Sequence, residues 1–134
     1  MKKIIILSFL IFGIFGQAKS QMNQPAMEVA EAAFTSNPNS FMGKVIKIKN
    51  VTVTIPEGPG SNVMGQGKPC NPSNPALFKM VKLEFNNPNF KGCFEIEAIK
   101  LNGLPKNLEC IGNMIFKVGG PGMNHTILEL KIQP

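Results

Sequence analysis

The most regular pattern in the chain is an alternation of apolar and polar residues over positions 45–55 that changes phase partway along. Apolar side chains occupy every second position in each half, but the two halves are out of step: Ile46 and Ile48, then Val51, Val53 and Ile55. Period-2 alternation is typical of a strand with one buried face, and one extra residue shifts the buried face by one position. We therefore predict a long strand over 45–55 that bends at a β-bulge centred on Asn50.

Four further segments carry strand patterns. They cover residues 77–85, 93–101, 113–118 and 126–132. In the second strand, Leu77 is predicted to share one face with Val81 and Leu83. In the fifth, Leu128 and Leu130 are predicted to lie on the same face. In the third, Glu95 and Glu97 alternate with apolar residues and are predicted to face solvent.

The segments between and before these strands have the composition of turns, a loop and a helix. Residues 86–89 and 119–122 are predicted turns, rich in Asn, Gly and Pro. Residues 56–76 lack periodicity, and a loop of that length is usually functional or disordered. Residues 25–34 predict a short helix, with Met27, Ala30 and Phe34 on one face against the core.

Five strands divided as three plus two, with an insertion between the third and the fourth, form the arrangement of an OB-fold. The stretch VAEAAFTSNPNSFMGKVIKIKNVTVTI resembles the start of small OB-fold domains of the tRNA-anticodon-binding-like type, in which a helix and an F…N…GK segment precede a V-x-V-x-x-V strand. The matching positions are Phe34, Asn37, Phe41, Gly43, Lys44, Ile46, Ile48 and Val51. We predict an all-β, five-stranded antiparallel OB-fold-like barrel with a short N-terminal helix. Another small antiparallel barrel or a five-stranded sandwich is the alternative.

The first twenty residues have the layout of a secretory signal peptide. Two lysines precede the apolar run Ile4–Gly16, and Ala18 and Ser20 suit a cleavage site. The run is shorter than the roughly 20 residues that a membrane span needs, so we expect no transmembrane span after cleavage. The predicted organisation is a signal peptide at 1–20, a tail and short helix at 21–43, and the barrel domain at 44–134. The predicted location is periplasmic or secreted.

The charges of the predicted mature chain are few and restricted in type. Eleven lysines face eight glutamates, a net charge of +3, and the whole sequence contains no Arg, Asp, Tyr or Trp. OB-folds bind ligands on the face of strands two and three, between the loops after strands one and four. The ligand-binding candidates there are Phe78, Lys79, Lys82, Phe90, Lys91 and Phe94. Without Arg, Tyr or Trp, this set does not favour nucleic acid, whose single strands stack on aromatic rings in basic grooves.

The three cysteines predict one disulfide and one free thiol in an exported protein, without fixing which of Cys70, Cys93 and Cys110 are joined. Spacings of the HxxxH or CxxC kind are missing from the sequence, so no metal or cofactor is expected. His125, the single histidine, follows a predicted turn and is expected to be exposed. A thiol enzyme that pairs Cys70 or Cys110 with His125 is the enzymatic alternative.

The leading functional hypothesis is an exported, non-enzymatic binding module, expected to be a monomer. Its site is predicted on the face of strands two and three and in the 56–76 loop. The predicted partner is an unidentified small ligand, an oligosaccharide or an envelope protein. The alternative hypothesis is a structural protein-interaction domain of the cell envelope.

Overall fold

The computed structural model describes residues 25–57, 63–65 and 68–134. The predicted signal peptide lies outside these residues. Eight strands and one α-helix are found among them, together with two turns of 3₁₀ helix at Pro38–Phe41 and Ala98–Leu101. The elements are β1 (Met27–Glu28), α1 (Glu31–Ser36), β2 (Val45–Thr54), β3 (Val63–Gly65), β4 (Lys68–Cys70), β5 (Phe78–Glu84), β6 (Phe94–Glu97), β7 (Glu109–Lys117) and β8 (His125–Ile132).

Five of the strands close into a barrel. Their order is β2–β5–β6–β8–β7, and β7 pairs back onto β2 to complete the circuit. All of these pairs are antiparallel except β6–β8, which is parallel, and the two-residue β1 adds a parallel pairing to β2. The prediction of an all-β, five-stranded barrel with one short helix is confirmed at this level. The prediction of a purely antiparallel sheet is wrong, because closure brings β8 beside β6 with both chains running the same way.

The first barrel strand contains the predicted bulge. The register between β2 and β7 shifts between Ile48 and Val51, and Asn50 has a φ of 59°, in the left-handed region that Asn tolerates better than most residues. The Asn113 Oδ1 atom accepts a hydrogen bond from the Asn50 N–H at 3.0 Å, and the Gln133 amide donates to the Asn50 Oδ1 at 2.6 Å. The phase change in the sequence is therefore the bend that lets β2 pair with β5 in its second half and with β7 along its whole length.

The barrel core is dominated by β-branched residues and phenylalanine. Phe34 of α1 is fully buried and closes one end of the barrel, where its ring lies within 6.3 Å of five other aromatic rings. These rings belong to Phe41, Phe85, Phe90, Phe116 and His125. The short helix therefore closes this end of the barrel, and the burial of Phe34 explains why the helix lies there.

The predicted helix is displaced towards the C-terminus. Residues 27–28 pair with β2 instead of forming a helical turn, Met27 and Ala30 are exposed, and only Phe34 of the predicted apolar face is buried. The helix has six residues, and a helix this short depends on tertiary packing for its stability. The backbone hydrogen bonds that β2 offers to residues 27–29 replace those of a first helical turn.

Four strand predictions are corrected in their details. The third strand stops at Glu97, after which Ala98–Leu101 forms a 3₁₀ turn, whereas the fourth begins earlier than expected, at Glu109. In β8 a second register shift leaves Leu128 exposed and turns Ile127 into the core, so Leu128 is not in phase with Leu130. Leu77 is exposed, just before β5 begins.

Within the long segment 56–76, the short strands β3 and β4 form an antiparallel hairpin. The sequence suggested a structureless loop here, and the hairpin shows that part of the segment is ordered into strands. Its last strand ends at Cys70, which is bonded to Cys93, the residue just before β6. The disulfide attaches the hairpin to the barrel wall and leaves Cys110 as the free cysteine of the described residues.

Candidate binding cleft

A cleft of about 500 Å³ opens at the end of the barrel where β6 and β8 begin. Three stretches of chain form its walls. They are the end of the segment 56–76 that contains β3 and β4 (the hairpin segment), the residues before β6, and the turn between β7 and β8. The 3₁₀ turn after α1 contributes its rim. The lining residues are Pro38, Asn39, Cys70, Asn71, Lys91, Gly92, Cys93 and the segment 119–125. Its volume is within the range of small-ligand sites.

A buried carboxylate holds two of these walls together. Glu95 of β6 is 2% exposed. Its Oε2 atom accepts a hydrogen bond from the Ser73 hydroxyl at 2.7 Å, and its Oε1 atom accepts one from the Asn124 amide at 2.7 Å. Asn124 also donates to the carbonyl oxygen of Asn71 at 2.8 Å. The loop after β2 and the turn after β7 are thus joined to β6 and to each other.

The same loop covers part of the outer face of β5 and β6. Met80, which pairs with Glu95 across the two strands, packs against Cys70 and Cys93 in a small apolar cluster separate from the barrel core. The prediction that Glu95 faces solvent is therefore wrong. Alternation correctly placed its side chain outside the barrel, but the hairpin segment and the disulfide lie over that face.

His125 is buried at the floor of the cleft, with 6% of its surface exposed. Its ring lies 4.8 Å from that of Phe94 and 5.6 Å from that of Phe34. The Nδ1 atom accepts a hydrogen bond from the Gly119 backbone N–H at 2.9 Å. Burial lowers the pKa of His125 from 6.5 to about 4, so at neutral pH the ring is uncharged and its proton is on Nε2. The expected exposed histidine is instead a core residue.

A glycine makes room for this ring. A Cβ atom at Gly92 would lie 2.7 Å from the Phe90 ring and 3.1 Å from the His125 Nε2 atom. Any larger residue would push the phenylalanine or the histidine out of place, since real Cβ contacts do not fall below 3.0 Å. The close approach of the chain before β6 to His125 therefore requires glycine at this position.

The six predicted ligand-binding residues do not form one surface. Phe90 and Phe94 belong to the barrel core. Phe78 and Lys79 are half-buried on β5, and Lys82 is exposed with its ammonium group 3.3 Å from Glu84. Lys91 is exposed and lines the cleft. Of the six, Lys91 is the one that the structure places at this site.

The structure does not bring the proposed thiol and imidazole together. Cys70 is in the disulfide, and Cys110 lies opposite Val53 on β7. His125 is level with the other end of β7, where Lys117 pairs with Thr126. The separation along the strand is roughly 25 Å, from the rise of about 3.3 Å for each residue. Among the described residues no group of three or more His, Cys, Asp or Glu side chains is arranged to hold a metal ion.

The polar residues that organise the cleft were not singled out from the sequence. Asn71, Ser73 and Asn124 lie in Asn- and Gly-rich segments that read as ordinary turn chemistry. The loops after strands one and four were expected to flank the site, and parts of both, Asn71 and Gly119–Asn124, do line this cleft. The signal available in the sequence was the position of these asparagines within the two loops.

A scan of protein-family models and searches of curated proteins and of solved structures find no match to this chain. In the described part of the chain, all helices are too short or too polar to cross a membrane.

Proposed function

We propose that this protein is an exported, non-enzymatic binding module of the OB-fold type, which takes its ligand in the cleft between the hairpin segment and the β7–β8 turn. The observation that carries the proposal is the convergence of those two loops on Glu95. A carboxylate that is buried and bonded to both loops fixes the walls of the cleft before a ligand arrives, and preorganised walls reduce the entropic cost of binding.

The strand order supports the OB-fold assignment and the position of the site. The order β2–β5–β6–β8–β7, with β7 returning to β2, is compatible with that fold. In OB-folds, ligands bind beside strands two and three, between the loops that correspond here to the hairpin segment and the β7–β8 turn. Because the hairpin segment covers Met80 and Glu95, we place the ligand at the edge of this face. The resemblance to the tRNA-anticodon-binding-like group remains part of the proposal.

Export is supported by the disulfide. The bond between Cys70 and Cys93 is buried on the Cys70 side, and a buried disulfide suggests an oxidising extracellular or periplasmic environment. The basic and apolar pattern of the first twenty residues points the same way. We therefore propose a periplasmic or secreted protein.

The chemistry of the cleft supports binding over catalysis and over nucleic-acid recognition. His125 is uncharged with Nδ1 committed to Gly119, both Glu95 oxygens are engaged, and Cys110 is remote. For nucleic acid, the cleft has one lysine, and the phenylalanine rings of Phe90 and Phe94 are in the core, where they cannot stack on bases.

The test is a nuclear magnetic resonance screen of the ¹⁵N-labelled protein against small metabolites and oligosaccharides. We expect a ligand to move the amide signals of residues 70–71, 91–93 and 119–125, and to raise the unfolding temperature. As a matched pair, Asn71→Ala should weaken binding, while Asn102→Ala, an exposed position outside the cleft, should not. Binding that maps instead to exposed Leu77 and Ile99 would favour the envelope-interaction alternative, and a screen in which no compound moves the cleft signals would contradict the proposal.

A further inference from the structure

His125 presents an unused hydrogen-bond donor to the cleft. With Nδ1 accepting from Gly119, the proton is on Nε2, and Nε2 has no hydrogen-bond partner among the described residues. Among the described residues, the Thr35 hydroxyl is the one side-chain polar group that has no partner and is also sealed from solvent. The unpartnered Nε2 atom is therefore not sealed. The His125 Nε2–H is therefore open to the cleft that the ring lines. A ligand that enters the cleft can therefore accept a hydrogen bond from this group.

The glycine turn adds donors on the adjoining wall. The Gly119 N–H is used by His125, and the Met123 N–H donates to the Gly120 carbonyl oxygen. The N–H groups of Gly120 and Gly122 have no partner among the described residues. Both glycines line the cleft, and Pro121 between them has no N–H, so the turn offers two separate backbone donors to a ligand.

The charge of the lining residues is positive. Lys91 is exposed on the cleft wall and is in no ion pair among the described residues. The nearby carboxylate, Glu95, has both oxygens occupied by Ser73 and Asn124. The cleft thus offers one cation and several neutral donors to a ligand.

We propose that the cleft recognises the carboxylate of a small organic acid, with the Lys91 ammonium supplying the charge and the His125 Nε2–H and the glycine-turn amides supplying directed hydrogen bonds. This inference rests on the proposed function and names its ligand class. A carboxylate matches one ammonium group in charge, whereas a doubly charged phosphate is usually met by more than one cation or by arginine. The exposed Met123 and the disulfide give the rest of the ligand an apolar wall.

Two sources of a carboxylate fit the volume, a sugar acid and the C-terminus of a short peptide. The experiment therefore titrates the ¹⁵N-labelled protein with glucuronate, with glucose, with trialanine, with trialanine amide and with inorganic phosphate. We expect saturable shifts of the Gly120, Gly122 and His125 Nε2–H signals with glucuronate or trialanine, and none with glucose or trialanine amide. Whichever acid binds more tightly identifies the source.

Lys91→Gln tests the role of the charge without disturbing the fold, because the side chain is exposed. We expect its dissociation constant for the acid to rise about fivefold, the effect of one exposed ion pair, and Lys106→Gln, exposed outside the cleft, to change nothing. Cleft signals that respond to glucose or phosphate but not to the acids would overturn this inference and leave the binding function standing. Cleft signals that respond to none of the probes would overturn the inference, and only the wider screen described above would then decide the binding function.

Discussion

Protonation of His125 is expected to destabilise the protein progressively as the pH falls below about 6.5. The imidazole is buried among the rings of Phe34, Phe94 and Phe116, and its Nδ1 atom accepts a hydrogen bond from Gly119. A proton on Nδ1 would break that bond and place a positive charge in an apolar environment. Among the described residues, none of the ion pairs and no carboxylate hydrogen bond involves this ring.

The magnitude follows from the pKa of the group. Burial lowers the pKa of His125 from 6.5 to about 4, and each pKa unit corresponds to ~1.4 kcal/mol. The unfolded chain binds the proton more tightly than the folded protein does. The stability that the neutral His125 contributes is therefore fully present above pH 6.5, and it is lost as the pH falls towards 4. The loss over this interval is about 3 kcal/mol, a large fraction of the 5–15 kcal/mol typical of a small domain.

The assay uses the fact that the chain has one histidine. The imidazole proton signals report its pKa directly, with no ambiguity of assignment. The free energy of unfolding is measured by urea denaturation between pH 7 and pH 4, in the native protein and in His125→Asn. Asparagine keeps an acceptor for the Gly119 N–H but does not titrate, so the variant reports the contribution of the glutamates.

We expect the native protein to lose about 3 kcal/mol more than His125→Asn over this pH range. Two results would refute the reasoning. A histidine titration midpoint near 6.5 in the folded protein would show that the ring is not desolvated as described. Parallel stability profiles of the two proteins would show that its protonation is not linked to unfolding.

Three further changes test the fold by urea denaturation. Replacing Cys70 and Cys93 together by serine should cost about 3 kcal/mol, since the bond closes a loop with a sequence separation of 23; Cys110→Ser is the control, and an equal loss there would contradict the assignment of the bond. Thr35→Val should stabilise the protein by about 1 kcal/mol, because it removes a buried, unpartnered hydroxyl; a destabilised variant would argue against that environment. Asn50→Ala should cost about 1–2 kcal/mol for the left-handed backbone, with Asn50→Gly costing less. Equal losses would contradict the left-handed conformation at Asn50.

The strands could be predicted from the sequence because each is encoded locally. Alternation over a few residues fixes which face of a strand is buried, and the displaced alternation on either side of Asn50 marks the bulge. Closure could not be predicted in the same way. The parallel pairing of β6 with β8 joins Phe94 to His125 across about thirty residues of chain, and no local pattern distinguishes it from an antiparallel neighbour.

Lys91 is the one predicted site residue that lines the cleft. The reason is again how far apart in the sequence the residues that determine a position lie. A charged residue next to a predicted strand end can be placed near a surface from its neighbours alone. The burial of His125 depends on Phe34, which is ninety-one residues earlier in the chain, and on the absence of a side chain at Gly92. A histidine after a glycine-rich turn has the same local sequence whether or not a helix closes the barrel above it.

Glu95 shows how this limit bears on function. Its alternation with Phe94 and Ile96 predicts that the carboxylate lies outside the barrel. A side chain in that position is exposed to solvent only if no other segment covers the outer face of β5 and β6. Its partners, Ser73 and Asn124, are 22 and 29 residues away in the sequence. The same bonds that bury the carboxylate hold the two loops at the spacing that forms the cleft. The side chain that alternation assigned to solvent is therefore the one whose burial creates the candidate site.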